Sequence, residues 1–191
     1  MGAGGYASSK WGCLNMDDML EAARSVMATT VARWEHLVAS VPADVLERPP
    51  APGEWSAAQC LAHLLFTERH LFSVRLRNLL AGEDIVPYDP KAPSDPEPER
   101  SPRDNVHALA ELRRENARLI EALAPADLAR VANHPEYGVV TLSMLLNLWT
   151  AHDLQHTVQA EEALMQVFIP GTGHWRWEFT DHDVEVRAPR T

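Results

Sequence analysis

Apolar residues recur at spacings of three and four along four stretches of this chain, and each stretch predicts an amphipathic helix. Residues 16 to 41 place Met16, Met19, Leu20, Ala23, Val26, Met27, Trp34, Leu37, Val38 and Val41 on one face, behind Asn15 as cap and Asp17 and Asp18 in the first turn. A second helix is expected from about Ser56 to Leu80. Ser56 and Gln59 have the spacing of a capping box, and Trp55 stands ahead of them as a staple toward Cys60. Ser101-Pro102, with Asp104 close behind, opens a third helix whose inward stripe is Val106, Leu109, Ala110, Ala117, Ile120, Leu123 and Ala124. The fourth runs from about Leu142 to Met165.

Between these stretches the chain breaks. Pro42 and the run Pro49-Pro50-Ala51-Pro52-Gly53 separate the first two helices. Gly82 to Arg100 holds five prolines and six acids and reads as a long surface loop. Pro125 stops the third helix, and residues 125 to 140, with His134 as a loop residue, make the last connection. Near the end, Trp175, Trp177 and Phe179 alternate with Arg176, Glu178 and Thr180, a period of two that predicts an extended tail over 168 to 191 laid on the protein. Residues 1 to 14, rich in Gly, Ala and Ser, are expected to be a loose extension. The prediction is an all-α fold, a four-helix bundle over residues 15 to 167.

Composition narrows the function classes. A chain of 191 residues suits one domain with its own core. The formal charge of −10 argues against a nucleic-acid footprint or an anionic membrane surface, both of which need clustered Lys and Arg. The two cysteines, Cys13 and Cys60, lack CxxC spacing, so neither a disulfide framework nor a cysteine zinc site is suggested. There is no secretory start and no long apolar run, and a cytoplasmic location is expected.

The chemistry concentrates in His-Asp-Leu-Gln-His at residues 152 to 156. His152 and His156 lie one turn apart, on the helix face that also carries Leu142, Leu145, Leu146, Trp149, Ala160, Ala163 and Leu164. Inward-facing imidazoles need partners, and a divalent metal is one. Among the remaining histidines, His63 sits on the inward stripe of the second helix with Cys60, Leu64, Thr67, Leu71 and Val74. His70 lies near the same azimuth but roughly 10 Å further along the helix, too far to share one ion. His63, His152 and His156 therefore form an expected three-nitrogen set with open coordination positions, the pattern of a catalytic rather than a structural metal. Cys60 is expected to be a small hydrophobe. Glu68, about 140° from His63 around the helix, is expected beside the site or on the surface. Asp153 is expected either to orient an imidazole or to face solvent, and Trp55 and Trp149 to be core.

Trp55-Ser56 followed by His63 and Glu68, then His134-Pro135 and Gly138, then His152-Asp153 and His156, resembles the DinB/YfiT-like family over residues 16 to 165. Phe168-Ile169-Pro170-Gly171 and Asp181-His182-Asp183 are similar to a tail in some members. The resemblance implies a bundle of unusual connectivity, a homodimer, and a zinc or nickel ion on His63, His152 and His156. It also implies thiol chemistry, since characterised relatives include bacillithiol- or mycothiol-using transferases and a mycothiol-dependent maleylpyruvate isomerase. The leading expectation is a metal-dependent thiol S-transferase acting on a small electrophilic molecule with a low-molecular-weight thiol as cosubstrate. A metal-dependent hydrolase and a non-catalytic dimeric module, for stress response or small-molecule binding, are the alternatives. The residues alone name no general base.

Overall fold

In the computed structural model, which describes residues 15–85, 87 and 100–186, the four expected helical stretches are all present. The first is α1, Met16–Ser40. A short α2, Ala43–Leu46, follows in the first connection. The second stretch is α3, Ala57–Thr67, continued by a π turn, Glu68–Phe72, into α4, Ser73–Ala81. The third is α5, Pro102–Glu121, and the fourth is α6, Leu142–Met165. The expected extension at 1–14 and most of the proline-rich loop lie outside the described residues.

Local signals set the starts of these helices. Asn15 accepts from the Asp18 backbone N–H at 2.9 Å. Ser56 and Gln59 form the full reciprocal capping box. Ser101 caps α5 with Pro102 in the first turn, and Thr141 caps α6. Gly82 ends α4 with φ at 72°, a left-handed conformation that glycine adopts without steric cost.

The helices pack in a square. α1 lies against α5 and α6, and α3 lies against the same two, so helices consecutive in the chain, α1 with α3 and α5 with α6, sit on diagonals. Long connections follow from that arrangement. One holds α2. The other holds a 3₁₀ turn, Pro125–Ala129, and a small antiparallel hairpin of β1, Val131–His134, and β2, Gly138–Thr141, with Ala132 opposite Val140.

The hairpin corrects the reading of residues 125 to 140 as plain connection. Its strands are short and only Ala132 and His134 of β1 are buried, so the two-residue period barely registers in the sequence. The tail is a second correction. Residues Ile169–Phe179 form a 3₁₀ segment kinked at Gly173, and Trp175 and Trp177 are 68% and 69% exposed. Their alternation with polar residues reflects no buried face. What holds the tail is Ile169, which is buried, and Gln166, whose amide donates to the His182 carbonyl and accepts from the Val184 N–H.

Two apolar clusters fill the bundle. One gathers Met27, Phe72, Ile120, Leu146 and Trp149; the other gathers Trp34, Leu61, Leu64, Leu109 and Ala160. On three helical elements the residues between the clusters are polar and buried: Glu68, then Arg113 with Asn116 on α5, then Asp153 on α6. A charged layer crosses the middle of the bundle, and the three histidines lie beside it.

Candidate metal centre

The charged layer sets the position of the site. Arg113, in the middle of α5, extends its guanidinium between two carboxylates. Its Nε and Nη2 donate to the two oxygens of Glu68 at 3.1 and 2.8 Å, and Nη1 donates to Asp153 Oδ2 at 2.7 Å. Glu68 also accepts from Asn116 Nδ2 at 2.7 Å and from the Trp149 indole N–H at 2.9 Å. Burial opposes the charge on Arg113, but the two carboxylates outweigh it and hold the group above its ordinary value. Burial pushes the Glu68 carboxyl up, against the pull of Arg113 and Asn116. Such a layer adds little net stability over apolar residues of equal volume, yet it is costly to break on one side.

Glu68 takes the first of its two expected places, beside the site and not on the surface, while Asp153 differs from both of its expectations. Each is 1% exposed and committed to Arg113. A 140° offset from His63 does not take Glu68 to the surface, because the π turn that it opens packs against α5. His63 meets His152 of α6, while Glu68 meets Arg113 and Asn116 of α5 and Trp149 of α6. Asp153 turns to Arg113, and its hydrogen bonds go there rather than to an imidazole.

With those groups turned inward, one side of the layer is left to His63, His152 and His156. One ligand-type nitrogen from each lies within 4.8 Å of the others. No other histidine, cysteine or acid among the described residues joins that cluster, so Cys60, fully buried nearby, stays outside it. His63 Nε2 and His152 Nε2 are 3.2 Å apart. Two imidazole nitrogens bound about 2.0–2.1 Å from one ion at a tetrahedral angle stand about 3.3 Å apart, so this pair has the spacing of a shared-ion site.

The electrostatics keep the rings in the ligating form. Burial lowers the His152 pKa to about 4, with the neighbouring His156, His63 and Arg113 charges adding to the effect. Its Nδ1 is buried without a hydrogen-bond partner, so nothing repays the solvation lost on protonation. His63 is lowered by burial and by His156, and His156 is lowered by burial against a raising contribution from Gln159. All three are neutral imidazoles at neutral pH, as metal coordination requires.

Gln159 is a residue the sequence reading did not single out. Its side-chain oxygen lies 2.9 Å from His156 Nδ1 and can only accept there, so Nδ1 carries the proton and the Nε2 lone pair is left for a ligand. The signal available in the sequence was a glutamine one turn beyond a candidate ligand.

Two aromatic side chains flank the cluster. Phe72 meets His152 edge-on at 5.2 Å and stacks on Trp149 at 5.0 Å, a contact placed by the π turn. Trp149 is core, as expected. Trp55 is not: it is 38% exposed and stands 5.0 Å from His63 and 5.8 Å from His156. His70 is exposed against Phe66, and His134 is buried in β1, stacked on Tyr137. Beside His156 and Trp55 opens a cavity of about 410 Å³ that reaches Val184 of the tail.

The arrangement is that of a three-imidazole set with room for exogenous ligands, and its donors fit a borderline divalent ion such as zinc, nickel, cobalt or iron(II). Among the described residues no helix is long and apolar enough to cross a membrane.

The same architecture occurs in known proteins. YfiT from Bacillus subtilis, described as a probable metal-dependent hydrolase with an unusual four-helix bundle topology, superposes with a TM-score of 0.63 over 86% of this chain and 95% of its own, at 21% identity. A Bacillus mycoides (strain KBAB4) protein named a putative metal-dependent hydrolase is 26% identical over 115 residues, 59% of this chain. The match takes in 66% of that relative's length, just under two thirds. The family model described as the DinB superfamily matches residues 27–160, from the middle of α1 almost to the end of α6, and so takes in all three histidines and the charged layer. By that match over most of its length, this chain belongs to the DinB superfamily.

Proposed function

We propose that His63, His152 and His156 hold one divalent transition metal, zinc or nickel, and that the chain is a metal-dependent enzyme transferring a low-molecular-weight thiol to a small electrophilic molecule. A metal so held acidifies a thiol or water in its open positions.

The observation that favours the thiol version is that both acids of the charged layer beside the histidines are committed to Arg113. Hydrolysis by an activated water is ordinarily assisted by a carboxylate base, as in helical HExxH sites. Here Glu68 and Asp153 are buried and taken by Arg113. A thiol needs no such base, because coordination itself deprotonates it. The chain's own residues then have three tasks. The histidines present neutral nitrogens, Gln159 keeps the His156 proton on Nδ1, and Trp55 and Phe72 limit the space around the imidazoles. With a halide or an epoxide an S–C bond forms at the electrophilic carbon as its bond to the halide or ring oxygen breaks, and with an enone the C=C π bond breaks instead; the proton lost from the thiol goes through solvent to the displaced group, the ring oxygen or the enone α-carbon.

Hydrolysis is the second reading, supported by the names given to YfiT and to the Bacillus mycoides relative. Thiol consumption against a panel of activated halides, epoxides and enones, run beside ester and amide hydrolysis, separates the two. Metal-dependent thiol loss that disappears in His152→Ala is the expected result. Metal-dependent hydrolysis without thiol loss would replace transfer with the second reading.

A further inference from the structure

The outward side of α6 is unlike that of its neighbour α5 in the chain. It exposes seven residues: five apolar, Met144, Leu148, Ala151, Leu154 and Val158, and two carboxamides, Asn147 and Gln155. None of these is ionisable. On α5 the reverse holds, since every exposed residue from Arg103 to Glu121 can carry a charge. The four large apolar side chains on α6 are each between 49% and 55% exposed. A helix that is apolar on its inner and its outer side is ordinarily covered on both.

The order of these residues says what covers it. At the helical step of about 100° per residue, all of them lie within about 60° of Ala151. The smallest side chain thus stands at the centre of the stripe, where two helix axes would come closest, and Met144 and Val158 stand about 10 Å to either side. A two-fold axis through Ala151 sets Met144 of each copy against Val158 of the other, the reciprocal contact of an isologous interface. Charge agrees with that occupant. The chain carries a formal −10, so two copies repel wherever acids approach, and this face brings no acid into the contact. An antiparallel crossing also lays the end of one α6 that holds Glu161 and Glu162 over the first turn of the other, which holds no acid. An anionic lipid surface fits less well, because it is met by Lys and Arg and this face has neither.

We infer that the exposed face of α6 is the interface of a homodimer, with two copies crossing antiparallel at Ala151. Seven residues a side fall short of the roughly 20–30 of a standard interface, so the dimer is weak, with a dissociation constant on the order of 10 to 100 µM. A groove of about 450 Å³, lined by Leu154, Gln155, Val158, Gln159 and Glu162, lies between this face and the cavity beside His156 and shares Gln155, Gln159 and Glu162 with it. The second copy therefore stands at the edge of that cavity. The inference rests on the face alone and not on the metal reading.

Sedimentation velocity of the untagged chain from about 5 to about 500 µM, an interval that brackets that constant, reads the association. It is run once with EDTA and once with one equivalent of zinc, and the expected result is a monomer–dimer equilibrium in both. Met144→Lys and Val158→Glu should each weaken it about tenfold or more, since each places a lone charge in the contact. In the double variant the two new charges lie about 21 Å apart on one helix but face each other across the two-fold axis. It should dimerise at least about fivefold more tightly than either single variant, a recovery that a mere folding defect would not show. Arg103→Glu, on the charged side of α5, should leave the equilibrium unchanged. A monomer throughout the range, association only with zinc, or an equilibrium that neither single variant weakens overturns the inference. So does a double variant no tighter than the single ones. A monomer that floats with phosphatidylcholine–phosphatidylglycerol vesicles would give the face to lipid and overturns it as well.

Discussion

Asp153 accepts a 2.7 Å hydrogen bond from Arg113 Nη1, which ties the middle of α6 to the middle of α5 one residue away from His152. The tie faces into the bundle while the histidine faces the site. One short stretch of α6 thus anchors the charged layer and supplies two of the three imidazoles.

Removing Arg113 leaves two buried carboxylates without their counterion. Arg113→Met should destabilise the protein by about 3–5 kcal/mol, the usual cost of breaking one side of a buried pair. Arg113→Lys should recover only part of the loss, because an ammonium cannot span both carboxylates as a fork. Urea unfolding followed by circular dichroism measures both. A loss below about 1 kcal/mol for Arg113→Met would remove the layer from the list of what holds the helices together.

Gln159 should matter for metal affinity far more than for stability. Gln159→Leu frees the His156 ring to adopt the other tautomer, and affinity should fall about 10- to 100-fold. Gln159→Glu, which keeps an acceptor, should retain it. Competition with a chromophoric chelator reads the affinity, and equal affinities for all three proteins would show that the hydrogen bond has no such role.

Much of this was legible in the sequence, and the reasons differ by element. Helix caps and apolar stripes are local, so Asn15, Ser56 with Gln59, and Ser101 with Pro102 announced the helices directly. His152 and His156 share a helix face, and His63 followed from its own stripe. The partners of Arg113 lie 40 and 45 residues away, on other helices, and no local pattern encodes that meeting. The hairpin went unseen because Val131 and Val139 are exposed, which erases the alternation of a half-buried strand. In the tail the alternation was present in the residues but not in their burial.

The pH dependence follows from the depressed histidines. Above pH 6.5 His152 is neutral whether folded or unfolded and contributes no slope. Between 6.5 and about 4 the unfolded chain takes up a proton that the folded, metal-free protein refuses, so stability falls as pH falls through that window. His63 and His156 act in the same direction. Metal-free His152→Gln should lose stability less steeply over this range than the metal-free wild type. Parallel curves in pH-dependent thermal melts would contradict the assignment.

Cys60 is 0% exposed, and burial raises its thiol pKa to about 11, so the thiolate is scarce at neutral pH. In a Cys13→Ser background Cys60 should resist a disulfide reagent until the protein is unfolded. Cys60→Ala should leave metal stoichiometry unchanged. Rapid labelling of the folded protein, or loss of metal on substitution, would return Cys60 to the candidate ligands.

The central claim is that His63, His152 and His156 hold one ion between them. Elemental analysis of untagged protein, purified without chelators and reconstituted with zinc or nickel, tests it most directly beside His63→Ala, His152→Ala and His156→Ala. The account predicts close to one equivalent in the wild type and loss of tight binding in each variant. A wild type that stays metal-free after reconstitution, or variants that keep a full equivalent, would contradict it.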